Sequence, residues 1–307
     1  MDKLIEELTL LREQVELLAP EEATEIAELE ERISKLEVQL KKRTPVWDHV
    51  KLCRHEQRPY TLDYIKRMFS KFHPLHGDRR YAEDAAMVGG MALLDKHPVM
   101  VIGQQKGRNT KERLYRNYGM AKPEGYRKAI RLMKMAEKFN RPIMTFIDTP
   151  GAYPGMGAEK RGQAQAIAHN LRTMSQLQVP IIVTILGEGG SGGALAIGIG
   201  DRILMLQHSI YSVISPESCS AILWKDQEHT KQAADSLKLT ARDMQRFRVI
   251  DEIVPEPQEG AHTDWDQAAL ILKDHLIRNL KELTSLNKNK LLKVRREKFR
   301  NLGDFLE

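Results

Sequence analysis

The sequence predicts an α/β fold built on a parallel sheet, and three observations carry that expectation. Short apolar, β-branched runs recur through the middle of the chain, at 97–104 (HPVMVIGQ), 141–148 (RPIMTFID), 179–186 (VPIIVTIL) and 201–208 (DRILMLQH). Helix-period segments at 123–140 and 159–178 separate the middle runs, and strand–helix alternation leads to parallel pairing through crossover helices. The third run is apolar at nearly every position, as expected of a strand covered on both faces, and it leads straight into GEGGSGG. That glycine stretch therefore belongs at the carboxyl end of a central strand, where α/β proteins bind ligands.

In chain order, residues 1–43 place Leu4, Leu8, Leu11, Val15 and Leu18, then Ile26, Leu29, Ile33, Leu36 and Leu40, at spacings of three and four broken by Pro20. This predicts a helical hairpin arm ending at Thr44-Pro45, either a dock for another subunit or a cap on its own core. Residues 44–260 form the α/β core, and 261–307 a basic helical region. Lys273–Arg300 carries ten Lys and Arg against three Asp and Glu. Lys288, Lys290, Lys293, Arg295, Arg296, Lys298 and Arg300 are thus open to being read as a nucleic-acid or phosphate patch, or as a basic helix that is solvated or faces an acidic partner, the reading that the charge pattern favours.

Composition narrows the class. With 307 residues, 41% hydrophobic and 29% charged, the chain has material for one large core or two modest ones. No apolar run approaches the ~20 residues of a membrane span, and the acidic, amphipathic start does not resemble a secretory leader, so a cytoplasmic protein with no membrane partner is expected. Cys53 and Cys219 stand far apart in no C-x-x-C pair, and His169 and His208 lack ligand spacing, so no metal is expected in this chain. The net charge of +6 suits a phosphate-bearing ligand, nucleic acid or an acidic partner.

Two loops carry the chemistry. DTPGAYPGMGAE (148–159) holds two prolines and three glycines before a helix, a rigid turn in which the amides of Gly155 and Met156 are held without help from side chains. GEGGSGG (187–193) opens a second helix, with Gly192 and Gly193 as its amide donors. Two such loops on consecutive βα units can aim N–H groups at one developing oxyanion, worth roughly 3–4 kcal/mol per donor. Gly151 and Gly190 read as shaping the turns. Gly187-x-Gly189-x-x-Gly192 also fits a dinucleotide fingerprint, but no acidic residue follows at the required distance. Gly189-x-Ser191-x-Gly193 fits a nucleophile elbow, so a serine hydrolase using Ser191, with Asp201 or Asp251 and His229 or His262, is an alternative. Glu159 and Glu188 flank the loops, either as an acid–base pair or as loop-bonded carboxylates.

Together DTPGAYPGMGAEKRGQ, GEGGSGGALAIGIGD and ISPESCSAILWKD, with RPYTLDYIKRMF and GRNTKERLYRNYGM before them, resemble the alpha subunits of bacterial acetyl-coenzyme A carboxylase carboxyltransferases over nearly the whole chain. The resemblance implies a crotonase-like fold of repeated ββα units. It implies an α2β2 heterotetramer with a zinc-ribbon beta subunit and an active site at the α/β interface. Carboxybiotin would arrive on the biotin carboxyl carrier protein, charged by biotin carboxylase, and acetyl-CoA would become malonyl-CoA for fatty-acid biosynthesis. Gly155, Met156, Gly192 and Gly193 would hold the ureido oxygen of biotin, Gly151 and Gly190 would shape the loops, and the released biotin nitrogen would take the acetyl proton.

Overall fold

The computed structural model describes residues 45–303 and, before them, positions 10, 11, 14, 15, 26, 29, 30, 32 and 33. The chain divides into two compact units, residues 1–48 and 49–307. In the first unit the described positions from 10 to 33 are helical, and the rest of the expected hairpin lies outside the described residues.

Helices α1 (Val46–Cys53) and α2 (Thr61–Met68) lead into β1 (Phe69–Pro74), β2 (Met87–Leu94) and β3 (His97–Gln104). These three strands pair antiparallel, with β2 and β3 joined by a tight turn in which Leu94 faces His97 and Asp95 takes φ 52°. After α3 (Thr110–Tyr115) and α4 (Pro123–Lys138) the chain enters β4 (Ile143–Thr149), then α5 (Met156–Lys160), α6 (Gln163–Met174) and β5 (Ile181–Gly190). Next come α7 (Ser191–Leu195), β6 (Arg202–Leu206), β7 (Ile210–Ser212), α8 (Pro216–Leu223), α9 (Thr230–Leu237), α10 (Ala241–Arg246) and β8 (Glu252–Val254). The sheet order is β1-β2-β3-β4-β5-β6-β8, parallel from β3 onward, and β7 runs parallel beside the end of β5.

The parallel half matches the expectation, whereas the antiparallel β1–β2 flank was not visible in the sequence. The single helix expected over 159–178 is two, because Gly162 takes a left-handed φ of 81° between α5 and α6. β5 also runs further than expected, through Gly190.

Both faces of the parallel strands are covered, which accounts for their unbroken apolarity. On one face Ile143, Ile147, Ile181, Val183 and Ile185 pack with Tyr126, Leu132 and Met133 of α4. On the other, Met144, Phe146, Ile182 and Leu186 pack with Tyr64 of α2 and with Leu272, Leu276 and Leu280 of α11 (Trp265–Thr284). Helix α12 (Lys288–Arg300) is pinned by Arg295, which is 1% exposed, pairs with Asp201 at 2.6 Å, and donates to the carbonyls of Met174, Leu177 and Val179. Lys298 pairs with Asp251. The basic tail is therefore not a free cationic stripe: its central arginine ties down the segment that leads into β5.

Candidate active site

The two glycine loops meet because β4 and β5 are neighbours, with Thr149 opposite Gly189. A Cβ on Gly190 would sit 2.2 Å from the carbonyl oxygen of Pro150, and one on Gly193 would sit 2.5 Å from the carbonyl carbon of Gly151. No side chain fits between the two backbones, so glycine is required there for close approach. Ser191, between them, adopts φ 49°, and this left-handed residue swings the chain from strand into α7. Gly192 and Gly193 follow in the first turn, where amides have no carbonyl four residues back to bond.

Gln104, at the end of β3 and fully buried, holds this junction from beneath. Its Nε2 donates to the Gly193 carbonyl at 2.7 Å, and its Oε1 accepts from the Asp148 amide at 3.1 Å. One side chain thus ties the start of the first loop and the end of the second to a third strand.

Beside the junction lies a cleft of 270 Å³ lined by Arg54, Tyr60, Lys106, Tyr118, Pro150 and Glu188 among others. Its floor is a charge network. Lys106 pairs with Asp148 at 2.8 Å and Glu188 at 2.7 Å, and Arg54 joins Glu188 at 2.7 Å to Glu217 at 2.6 Å. Burial alone would raise the Glu188 carboxyl, but Lys106 and Arg54 outweigh it and bring it down to about 2. Burial likewise works against the Lys106 ammonium, yet Asp148 and Glu188 hold it well above its ordinary range. Glu188 is thus a permanent anion at neutral pH and cannot serve as a general acid there. Burial pushes the Cys53 thiol, also on the cleft wall, far up, so it is no nucleophile.

The wall above Lys106 is bent by three successive left-handed residues, Asn117 (φ 45°), Tyr118 (φ 57°) and Gly119 (φ 83°). A Cβ on Gly119 would lie 2.9 Å from both the Asp148 carbonyl oxygen and the Lys106 Cγ. This turn presses Lys106 toward its two carboxylates and sets Tyr118 on the cleft.

Each residue singled out in the sequence has a place. Gly151, Gly190 and Gly193 come together at the junction, and Gly192 lies beside Ile167. Gly155 and Met156 open the separate helix α5, with Gly155 packed on the Tyr153 ring and Met156 71% exposed. Glu159 is exposed on α5 and apart from Glu188's network.

The hydrolase alternative finds no relay. Asp201 is taken by Arg295 and the Ile181 amide, and Asp251 by Lys298 and the Ile203 amide. His229 bonds Asp226 and stacks on Trp224, while His262 packs at a tilt against His55. Among the described residues no group of three or more His, Cys, Asp or Glu could hold a metal ion, and no helix is long and apolar enough to cross a membrane. Sequence reasoning missed Arg54, Gln104 and Lys106. A lone cation or amide gives no local sign that a distant carboxylate or carbonyl awaits it.

Residues 1–303 match the family model described as acetyl co-enzyme A carboxylase carboxyltransferase-like. The chain is 58% identical over 284 residues to the acetyl-coenzyme A carboxylase carboxyl transferase subunit alpha of Geobacter metallireducens, covering 92% of this chain and 89% of that one. It is 54% identical to the same-named subunit of Edwardsiella ictaluri, over 97% and 94% of the two chains. Among solved structures, a transcarboxylase 12S chain matches with TM-score 0.61 at 16% identity, over 80% of this chain and 44% of that longer one. A Pseudomonas malonate decarboxylase hetero-tetramer matches with TM-score 0.61 at 16% identity, over 76% and 91%. These likenesses bear out the crotonase-like α/β fold. By the family match and the identity of its relatives along nearly their whole length, the chain belongs to the acetyl-coenzyme A carboxylase carboxyltransferase alpha-subunit family.

Proposed function

We propose that this chain moves a carboxyl group from carboxybiotin to acetyl-CoA, giving malonyl-CoA, in the cytoplasm and in an α2β2 assembly with a zinc-ribbon beta subunit. Carboxybiotin is delivered as donor substrate by the biotin carboxyl carrier protein, and its ureido oxygen becomes more negative as the carboxyl group leaves. What supports the reading is the backbone contact of two glycine loops with unused first-turn amides at Gly192 and Gly193.

In this reading the amides of Gly192 and Gly193, with those of Gly155 and Met156 from the first loop, hold the developing oxyanion. Their value comes from being fixed before the reaction, so no reorganisation is needed when charge appears. Gln104 fixes the second loop through the Gly193 carbonyl. Lys106 and Arg54 neutralise Glu188 and so keep an uncompensated anion away from the reacting oxygen. The cluster around Ser191 supplies no base, which agrees with a transfer in which the substrate itself takes the proton.

The test is carboxyl transfer in reverse, with malonyl-CoA and a soluble biotin derivative, by this chain alone and mixed with a beta subunit. Activity only in the mixture supports the reading. Activity of the isolated chain, or none in a mixture shown to be assembled, overturns it.

A further inference from the structure

A second cavity, 360 Å³ in volume, lies on the outer helical layer between α4 and α6, and the mechanism makes no use of it. Its walls carry Arg79, Arg80, Arg131 and Lys134. Among the described residues no carboxylate is within salt-bridge distance of any of these four. The cavity's own acid, Asp78, is 5% exposed and already compensated: its Oδ2 accepts from Arg127 at 2.7 Å. Nearby Glu83 is engaged by Lys128 and the Gly77 amide.

The turn that carries Arg79 and Arg80 and the guanidinium of Arg131 are built into place. Asp78 Oδ1 accepts from the amides of Arg80, Tyr81 and Ala82, closing a turn whose tip, Arg79, is held at φ 62°. This turn projects two arginines over the helix face. From below, Arg131 Nε donates to the Gly77 carbonyl and its Nη2 to that of His76, both at 3.1 Å, which fixes its guanidinium beside the turn. Burial and then the neighbouring Arg79 charge work against the Arg131 cation and outweigh the support it has from Glu83 and Asp78. Positive charges assembled against their mutual repulsion in a concave site form an anion receptor. Ile130 and Ala166 add an apolar floor, and Gln165 and His169 a polar rim.

We propose that this cavity binds a ligand bearing two adjacent phosphates, with Arg79, Arg80, Arg131 and Lys134 as its phosphate contacts. Arginine forks suit adjacent phosphate oxygens, and four unpaired cations exceed what a single phosphate needs. The site is separate from the glycine junction and does not depend on the carboxyl-transfer reading.

The experiment is calorimetric titration of inorganic pyrophosphate into the assembled alpha–beta complex. Wild type is compared with the exposed-turn double variant Arg79→Ala/Arg80→Ala, with Arg131→Ala, and with the control Lys290→Ala on α12. Saturable binding that weakens with salt, falls at least tenfold in both cavity variants and is unchanged in the control supports the site. Absent binding at millimolar pyrophosphate, or equal affinity in all four proteins, overturns it. Equal thermal midpoints establish that the turn variant is folded. With the site supported, competition by coenzyme A, dephospho-coenzyme A and ADP distinguishes a coenzyme A end from a simpler nucleotide.

Discussion

Gln104 and Gly193 are joined across the sheet by a 2.7 Å hydrogen bond from a buried side-chain amide to a backbone carbonyl. The same amide group accepts from Asp148 N–H, so the loops following β4 and β5 share one anchor. Replacing Gln104 by Leu leaves two buried backbone groups unpaired, at about 1–3 kcal/mol each. Gln104→Leu is expected to lower the thermal midpoint and to reduce kcat by tenfold or more with KM little changed. A steady-state comparison of the assembled enzyme checks it, and an unchanged kcat in folded variant would remove the positioning role.

The two glycines of α7 are expected to respond differently to the same change, although each variant keeps its N–H. Gly193→Ala drives a Cβ to 2.5 Å from the Gly151 carbonyl carbon, while Gly192→Ala meets only the Ile167 Cδ1 at 3.4 Å. Activity should fall at least a hundredfold in the first and less than tenfold in the second. Equal losses would mean that contact between the loops is not what positions the donors.

Glu188 accepts ion pairs and does not carry protons, since Lys106 and Arg54 hold it down to about 2. Glu188→Gln should therefore leave the pH profile of kcat/KM unchanged in shape between pH 6 and 9. Loss of the pairing anion leaves Lys106 and Arg54 partly uncompensated, so the thermal midpoint should fall. A lost limb in the pH profile would make Glu188 an acid or base after all.

Acid should unfold the protein through its depressed carboxylates. Glu256, 1% exposed at its side chain and paired with Arg58 at 2.7 Å, is raised by burial but brought down to about 2 by Arg58, against an ordinary 4.5. A carboxyl lowered in the folded state contributes stability above its unfolded value and loses it as pH falls toward its folded one. The Glu256 contribution should therefore be level from pH 7 to 5 and be lost progressively from about 4.5 toward 2, while a separate loss sets in below about 6.5, where the unfolded chain protonates His208 and His262 and burial in the folded chain resists it. Melting curves across that range check it, and the double variant Arg58→Met/Glu256→Leu should show a shallower fall.

The basic tail is expected to matter for folding. Arg295→Ala leaves Asp201 buried without its partner, a change that costs about 3–5 kcal/mol in such pairs. Chemical denaturation should show that loss, whereas Lys290→Ala, on the exposed side of α12, should stay within about 0.5 kcal/mol of wild type.

Much of the fold was legible because its signals are local. Continuous apolarity marked β4 and β5, and proline and glycine marked the loops that follow them. β1 and β2 were not legible. FSKFHP buries only its first residue fully and reads as polar, and MVGGMALL contains Gly90, whose Cβ would lie 2.1 Å from the His73 carbonyl oxygen. That glycine makes sense only once the strands are paired. The break at Gly162 was hidden for a related reason, since apolar spacing continues through it while its φ does not.

By itself the sequence determined the α/β class, the glycine loops at the end of a central strand, and the family to which they belong, because short-range pattern and backbone chemistry are written in consecutive residues. Only the tertiary structure decided that Lys106 meets a carboxylate 82 positions away, that Gln104 anchors Gly193 across 89, and that Arg295 serves the core. Buried charges and amides are tolerated only beside their partners, and chain folding chooses those partners over distances that no local pattern encodes.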